Sequence, residues 1–337
     1  MRVVGLVLIL VSVAALSAGC SGRKTAPNPL APSVYLDHAL ELMRTNAVYT
    51  PTLGWGAVIA EAHKMAATAK TPADTYGAII YALDRLRQAG DMHAGFTNAF
   101  TAKLQAQAAA APGGTTTTPP PTVSLVSRKL GLIELPEIAS HHNSPDARHY
   151  AASALRSIAS LQARDHPCGW IVDLRENGGG DMDPMLLSVG PILGQGRVIG
   201  FTGKKGFLYY VSYRDSALSG GGSIDQAPLK IPVFSPSPPV AVLTSTMTAS
   251  AGEVVAVAFR GRADTKSFGA PTAGATSGPR AYRLVDGAEP GFAISWYVDR
   301  DGVVYKHPIK PDVAFPDSVE QAAENWLMST AACSRTH

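Results

Sequence analysis

Val242-Leu243-Thr244-Ser245-Thr246-Met247-Thr248-Ala249-Ser250-Ala251-Gly252-Glu253 joins an apolar strand, a short polar loop and the start of a helix near Ser250. A serine at a helix N-terminus faces free backbone N–H groups and the positive end of the helix dipole. Those groups can hold the oxyanion formed when a hydroxyl attacks a carbonyl. They can equally be satisfied by a serine or threonine that does nothing but cap the helix, and spacing alone favours the cap. The Gly-x-Ser-x-Gly elbow of α/β-hydrolases is not matched, because Thr248 stands at its first glycine position.

A second segment has the same shape. Gly169 to Leu174 is an apolar run of strand length, followed by Asp173-Leu174-Arg175-Glu176-Asn177-Gly178-Gly179-Gly180-Asp181 and a helix from Met185 to Leu193. Glycines allow close backbone approach and can aim N–H groups at a ligand. The absence of a following Gly-Lys-Ser/Thr excludes a phosphate loop. Taken alone the segment reads as a tight turn. Next to Ser250 it can supply a second oxyanion donor.

Working outward, Leu130 to Leu135, Pro239 to Leu243, Tyr282 to Leu284, Phe292 to Val298 and Val303 to Tyr305 read as strands, while Asp146 to Leu161 and Ser250 to Phe259 read as helices. Apolar strands alternating with helices predict an α/β fold with a mixed sheet covered on both faces. Residues 34–89 differ. Val34, Leu36, Ala39, Leu40 and Met43 follow a helical period, as do Trp55 to Ala67 and Asp74 to Leu86, which predicts a small N-terminal helical bundle. It ends at the turn Gly90-Asp91-Met92-His93-Ala94-Gly95. The Gly/Thr/Pro run at 113–121 reads as a linker between a helical domain (33–112) and a catalytic domain (122–330).

The 337 residues are 46% hydrophobic and 16% charged with a net charge of +3, which allows a sizeable core and excludes wholesale disorder. No Lys/Arg cluster forms a nucleic-acid patch. Arg2 precedes the apolar run Val3 to Ala18, which is short for a membrane span and ends in Leu16-Ser17-Ala18-Gly19-Cys20. A Cys after Ala-Gly resembles the bacterial lipobox, with Leu16 one place further out than usual. The reading is a signal peptide (1–19), a lipid on Cys20 and a tether (20–32), placing the protein at the cell envelope on the periplasmic or extracellular side. An ordinary signal peptide with an incidental Cys is the alternative. Cys168 and Cys333 are either a disulfide tying the C-terminal tail to the core or two buried thiols.

A serine nucleophile needs a base, most often His. Of the nine histidines, His93 sits in a Gly-flanked turn. His141, His142, His149 and His166 read as surface residues, and His307 is the main rival.

The Asp-Leu-Arg-Glu-Asn-Gly-Gly-Gly and Thr-Ala-Ser-Ala-Gly-Glu segments, in this order, resemble those of the tail-specific (C-terminal-processing) serine protease superfamily. Phe268 to Gly274 is similar to its glycine-rich loop, and Ile309-Lys310-Pro311-Asp312-Val313 to its closing Pro-Asp element. The resemblance implies a mixed-sheet protease core of crotonase/ClpP-like αβ units, a peptide or protein substrate, and neither cofactor nor metal. Ser250 becomes the nucleophile, and the N–H groups of Ala251 and of Gly179 or Gly180 become the oxyanion hole. Ala275 stands where the processing branch carries its lysine, so the likeness points to the tricorn-core-like branch, whose base on a turn after a helical region corresponds to His93. The glutamate that completes that branch's relay corresponds to Tyr305, and the serine before its histidine to Met92. Asp299, Asp301, Glu253, Asp91 or a backbone carbonyl is left to orient His93. The stretch 97–130 is too short for the PDZ domain of the processing proteases. With the relay incomplete, two other functions stay open: a non-catalytic ligand-binding protein on the same fold, and a small-molecule ester or amide hydrolase.

Overall fold

The computed structural model describes residues 30–110, 119–127, 129–140, 143–220 and 223–334. The leader, Cys20 and most of the tether lie outside these residues, as do 111–118 of the linker region and His141 and His142.

Three helices come first: α1 (Pro32–Asn46), α2 (Trp55–Met65) and α3 (Tyr76–Gln88). Their apolar stripes meet in one cluster containing Leu36, Leu40, Met43, Val58, Ile79 and Leu83. The third stretch begins with a 3-10 turn at Pro72–Thr75, where Asp74 accepts the Thr71 N–H, so the α-helix starts two residues later than the sequence pattern indicates. A short strand β1 (Gly95–Thr97) and helix α4 (Ala99–Ala110) follow.

The next elements are β2 (Thr122–Val126), β3 (Leu130–Glu134), α5 (Pro145–Asp165), β4 (Gly169–Asp173) and α6 (Met182–Leu193). Ser144 caps α5 by accepting the Ala147 N–H, with Pro145 in the first turn, and His166 ends the helix in the left-handed region at φ 46°. Then come β5 (Gly196–Gly203), β6 (Leu208–Arg214), β7 (Ala217–Gly220), β8 (Ser223–Gln226), β9 (Val240–Thr244), α7 (Ala251–Ala258) and β10 (Thr265–Gly269). The chain closes with β11 (Ser277–Ala281), β12 (Glu289–Val298), β13 (Val304–Tyr305), β14 (Val313–Ala314), α8 (Val319–Ser329) and α9 (Ala331–Ser334).

Among the described residues these strands make two sheets, where the sequence pattern indicates one. The first is six-stranded in the order β14-β10-β9-β4-β3-β2, parallel except for β2. The second is eight-stranded and antiparallel, running β1-β12-β5-β6-β7-β8 with β11 and β13 also on β12. Strands β5 to β8 have no uniform apolar run to betray them, since the burial of β6 is mixed along its length. Tyr282 to Leu284 is an irregular arm and not a strand. Its partner Pro290 accepts the Tyr282 N–H but has no N–H to return, so the ladder stops at Ala281.

Side-chain alternation along the parallel strands divides the core. Trp170, Val172, Val240 and Val242 point toward α5, α6 and α7, which fill the space between the sheets with Leu155, Ile158, Leu186 and Val255. Ile171, Ala241 and Leu243 point the other way, under Ala323 and Leu327 of α8. Each such fully buried large aliphatic side chain stabilises the fold by roughly 1.5–3 kcal/mol. Gly131 is required by Trp170: a Cβ there would stand 2.5 Å from the indole ring. A disulfide joins Cys168, at the start of β4, to Cys333 of α9.

The N-terminal helices are not a detached bundle. They pack on Leu284, Ala288, Phe292 and Ala293, and β1 pairs with the start of β12, Gly95 opposite Gly291. This attachment carries the His93 turn to the second sheet.

Candidate active site

Parallel pairing sets the first half of the site. In β4 and β9, Asp173 lies opposite Leu243, and in β9 and β10, Thr244 lies opposite Gly269. The loops that leave these strands, 174–181, 245–250 and 270–276, therefore emerge together at one sheet edge. The C-terminal edge of parallel strands is where such folds place their ligands.

Asn177 locks the first two loops together. Its buried side chain donates to the Leu135 carbonyl (2.8 Å) and accepts the Gly179 N–H (3.0 Å), while its backbone carbonyl accepts the Ala249 N–H (3.0 Å). Thr248 adds a second tie, its hydroxyl donating to the Leu174 carbonyl at 2.8 Å. Arg175 braces the loop from behind by pairing with Asp173 and with Glu320 of α8.

Ser250 stands immediately before α7 with φ 50° and ψ −115°, a strained backbone for a residue with a side chain. Gly179, itself at φ 114°, lies against it. Glu253 holds the turn from below. Its buried carboxylate accepts the Ser250 N–H (3.0 Å), the Gly274 N–H (2.9 Å) and the Thr272 hydroxyl, and so fixes the third loop to the Ser250 turn. Burial pushes this carboxyl above the ordinary range, against the pull of those donors.

The second sheet supplies the rest. Asp91 is fully buried and accepts the His93 backbone N–H (3.0 Å) and the Ala293 N–H of β12 (2.9 Å). The turn so fixed aims the imidazole across to the first sheet. His93 Nε2 lies 3.1 Å from Ser250 Oγ, and Nδ1 lies 3.0 Å from the Ser277 hydroxyl at the start of β11. Burial lowers the His93 pKa from its ordinary value, with Asp91 opposing in part. Burial raises the pKa of the Tyr297 phenol of β12.

The structure thus brings Ser250 and His93 together. Ala251 is the first residue of α7, and Gly179 lies against this turn with its N–H already donated to Asn177, while Gly180 bridges to Ile138. Among the candidates for orienting His93, Asp91 binds the backbone and not the ring, and Glu253 binds Ser250 and the 272–274 loop. Asp299 accepts the Tyr305 hydroxyl (2.9 Å) and the N–H groups of Asp301 and Val303, and Asp301 is exposed. His307, His149 and His166 are exposed. The group facing Nδ1 is Ser277, which sequence reasoning missed because a serine two residues beyond Ala275 carries no local signal. Among the described residues no group of three or more His, Cys, Asp or Glu is placed to hold a metal ion.

The fold, with a serine and an imidazole meeting where two sheets approach, is that of a serine-type peptidase. More narrowly, the chain belongs to peptidase family S41, whose sequence model matches residues 129–315, over half of the chain. It is 30% identical over 203 residues to the nisin-resistance protein of Lactococcus lactis subsp. lactis, across 59% of this chain and 60% of that one. It is 26% identical over 230 residues to the chloroplastic carboxyl-terminal-processing peptidase 2 of Arabidopsis thaliana, across 63% of this chain and 40% of that one. The chain thus spans less than two thirds of the length of either curated relative. A solved lipoprotein from Streptococcus agalactiae shares the fold with a TM-score of 0.70 and 23% identity, covering 91% of this chain and 99% of that chain. The photosystem II D1 C-terminal processing protease does so with a TM-score of 0.57 and 17% identity, covering 90% and 98%.

Proposed function

We propose that this protein is an exported serine peptidase, tethered at the cell envelope through a lipid on Cys20, with Ser250 as nucleophile and His93 as general base. The 3.1 Å approach of His93 Nε2 to Ser250 Oγ carries the reading. Membership of family S41 supports the peptidase class. The lipobox-like Leu16-Ser17-Ala18-Gly19-Cys20 supports the anchor, together with a likeness to a lipoprotein. No helix among the described residues is long and apolar enough to cross a membrane.

In this mechanism Ser250 Oγ attacks the scissile carbonyl while His93 Nε2 takes its proton. The same imidazole then gives the proton to the leaving amine, and it later activates the water that frees the acyl group. Lowering of the His93 pKa by burial keeps the ring neutral and receptive near neutral pH. The oxyanion is held by the Ala251 N–H at the start of α7 and by that of Gly180. Gly180 suits this role better than Gly179. The Gly179 carbonyl and the Asp181 N–H both bond Ile138, so the Gly180 N–H leaves on the opposite side.

A fluorophosphonate probe on the purified protein tests the assignment. Labelling at Ser250, lost in Ser250→Ala, is the expected result, along with cleavage of peptides; the nisin-resistance relative makes nisin one substrate to try. An unlabelled wild type, or equal labelling of the variant, sinks the reading in favour of a binding protein. Labelling with turnover of simple esters but of no peptide indicates a small-molecule hydrolase.

A further inference from the structure

We propose that the groove between β2 and α5 docks an extended acidic segment of the substrate, which adds to the open side of β2 as one more strand. The identity of this partner rests on the peptidase reading, while the geometry of the groove depends on none of the catalytic residues.

β2 is an open edge strand. Among the described residues it pairs with β3 alone, without a bulge, from Thr122 opposite Glu134 to Val126 opposite Leu130. Such an edge is a template for another strand, and proteins commonly block it with a charge, a proline, a bulge or a very short strand. Thr122-Val123-Ser124-Leu125-Val126 contains neither a charge nor a proline. The opposite edge strand of the same sheet, β14, is only two residues long.

Beside β2 lies a groove of about 340 Å³, lined by Val123 and by Arg156, Ser157, Ser160, Leu161 and Arg164 of α5. Val123 and Leu125 pack toward α5, so alternation turns Thr122 and Ser124 to the far face. Arg156, Ser160 and Arg164 recur every fourth residue and form one stripe along the helix. Both arginines are exposed; Arg164 bonds Asp165, whereas Arg156 has no acidic partner among the described residues. The stripe fits a strand in length. The two arginines are about 12 Å apart along the helix axis. Two acidic side chains four residues apart on one face of an extended peptide are separated by about 13 Å. The side chain midway between them meets the apolar floor of Val123 and Leu161.

Other occupants fit worse. A second copy pairing through β2 would bring two sets of arginines together. The linker residues 111–118 carry no acidic side chain to offer them. Direction favours the substrate. β2 is antiparallel to β3, so Thr122 lies at the end of the sheet where the loops 174–181 and 245–250 emerge. β3 and β4 separate β2 from β9, a lateral distance of about 14 Å that about four or five extended residues span. A chain held on β2 can therefore continue to Ser250.

The test uses the whole protein and the peptide Thr-Glu-Thr-Val-Thr-Glu-Thr. Fluorescence anisotropy on the Ser250→Ala protein compares this peptide with its Lys-for-Glu counterpart and with its N-methylated form. Only the acidic, unmethylated peptide is expected to bind, and it should slow amide hydrogen exchange over residues 122–126. Arg156→Glu and, separately, Arg164→Glu should weaken binding about tenfold, with circular dichroism to check the fold. Joined to a fluorogenic peptide that the wild type cleaves, the acidic segment should lower KM about tenfold with kcat unchanged, and the gain should vanish in Arg156→Glu. Equal binding of the acidic and lysine peptides, or unchanged exchange at β2, overturns the docking surface. Protection of β2 that rises with protein concentration in the absence of peptide overturns it in favour of a second copy. An unchanged KM in an enzyme that is labelled at Ser250 overturns the substrate as occupant and leaves the peptidase reading standing. A wild type that is unlabelled at Ser250 and cleaves no peptide sinks the peptidase reading, and the substrate role of the groove with it.

Discussion

Gly179 lies so close to Ser250 that a Cβ on the glycine would stand 2.8 Å from the serine Cβ and 3.2 Å from the Ala251 nitrogen. Two loops from adjacent parallel strands are pressed together at Ser250, and the missing side chain permits it. Gly252 repeats the device on the other side, where a Cβ would meet the Asn177 carbonyl oxygen at 2.7 Å. Gly179→Ala must displace Ser250 and also force an L-residue to φ 114°. We expect peptide turnover to fall about 100-fold or more, because the proposed oxyanion donors lose their aim. Near-wild-type turnover would show that the contact is tolerant and the site looser than drawn.

On the proposed assignment, the acid limb of the rate profile reports His93. Burial disfavours the charged ring, so its pKa is lowered from the ordinary 6.5. As the proposed base it is therefore neutral and competent to lower pH than an exposed histidine would be, and activity is expected to be lost as pH falls through the lowered value. We expect the midpoint of the kcat/KM acid limb below 6.5. A midpoint above 6.5 would mean that a nearby carboxylate dominates over burial in the free enzyme.

Glu253 joins the Ser250 turn to the loop that leads to Ser277. Removing its carboxylate in Glu253→Ala leaves the N–H groups of Ser250 and Gly274 and the Thr272 hydroxyl without their acceptor. The expected destabilisation is about 3 kcal/mol or more in urea unfolding, with lost Ser250 labelling. Glu253→Gln retains one acceptor oxygen and should lose less. If Glu253→Ala unfolded at the wild-type midpoint, water or a rearranged loop would have replaced the carboxylate.

The bond between Cys168 and Cys333 closes a loop with a sequence separation of 165. Replacing both cysteines by serine is expected to lower stability by about 2–4 kcal/mol, while activity at moderate temperature survives, since the bond lies at the start of β4 and the site at its end. Non-reducing digestion and mass analysis should find the two peptides linked. Two free thiols in protein purified from an oxidising compartment would refute the pairing.

Several elements were legible in the chain because their causes are local. The stretch Asp146 to Leu161 marks α5, the apolar run Gly169 to Leu174 marks β4, and the helical period before residue 89 marks α1 to α3. Strands β5 to β8 were not read, because a half-buried antiparallel meander carries neither a uniform apolar run nor a helical period. Tyr282 to Leu284 reads as a strand and is not one, because the break is made by Pro290 on the opposing chain.

The chain by itself determined that a Ser and a Gly-rich turn each follow an apolar strand and precede a helix, and that a His sits in a turn after a helical region. Those features depend on neighbours within a few residues. Only the tertiary structure decided that the two strands are adjacent, that β1 and β11 both pair with β12, and that Ser277 faces Nδ1 of His93. Such contacts join residues up to 196 positions apart, as Gly95 and Gly291 are. Their geometry is set by strand pairing and by the packing of the two sheets around α7, which no local pattern encodes.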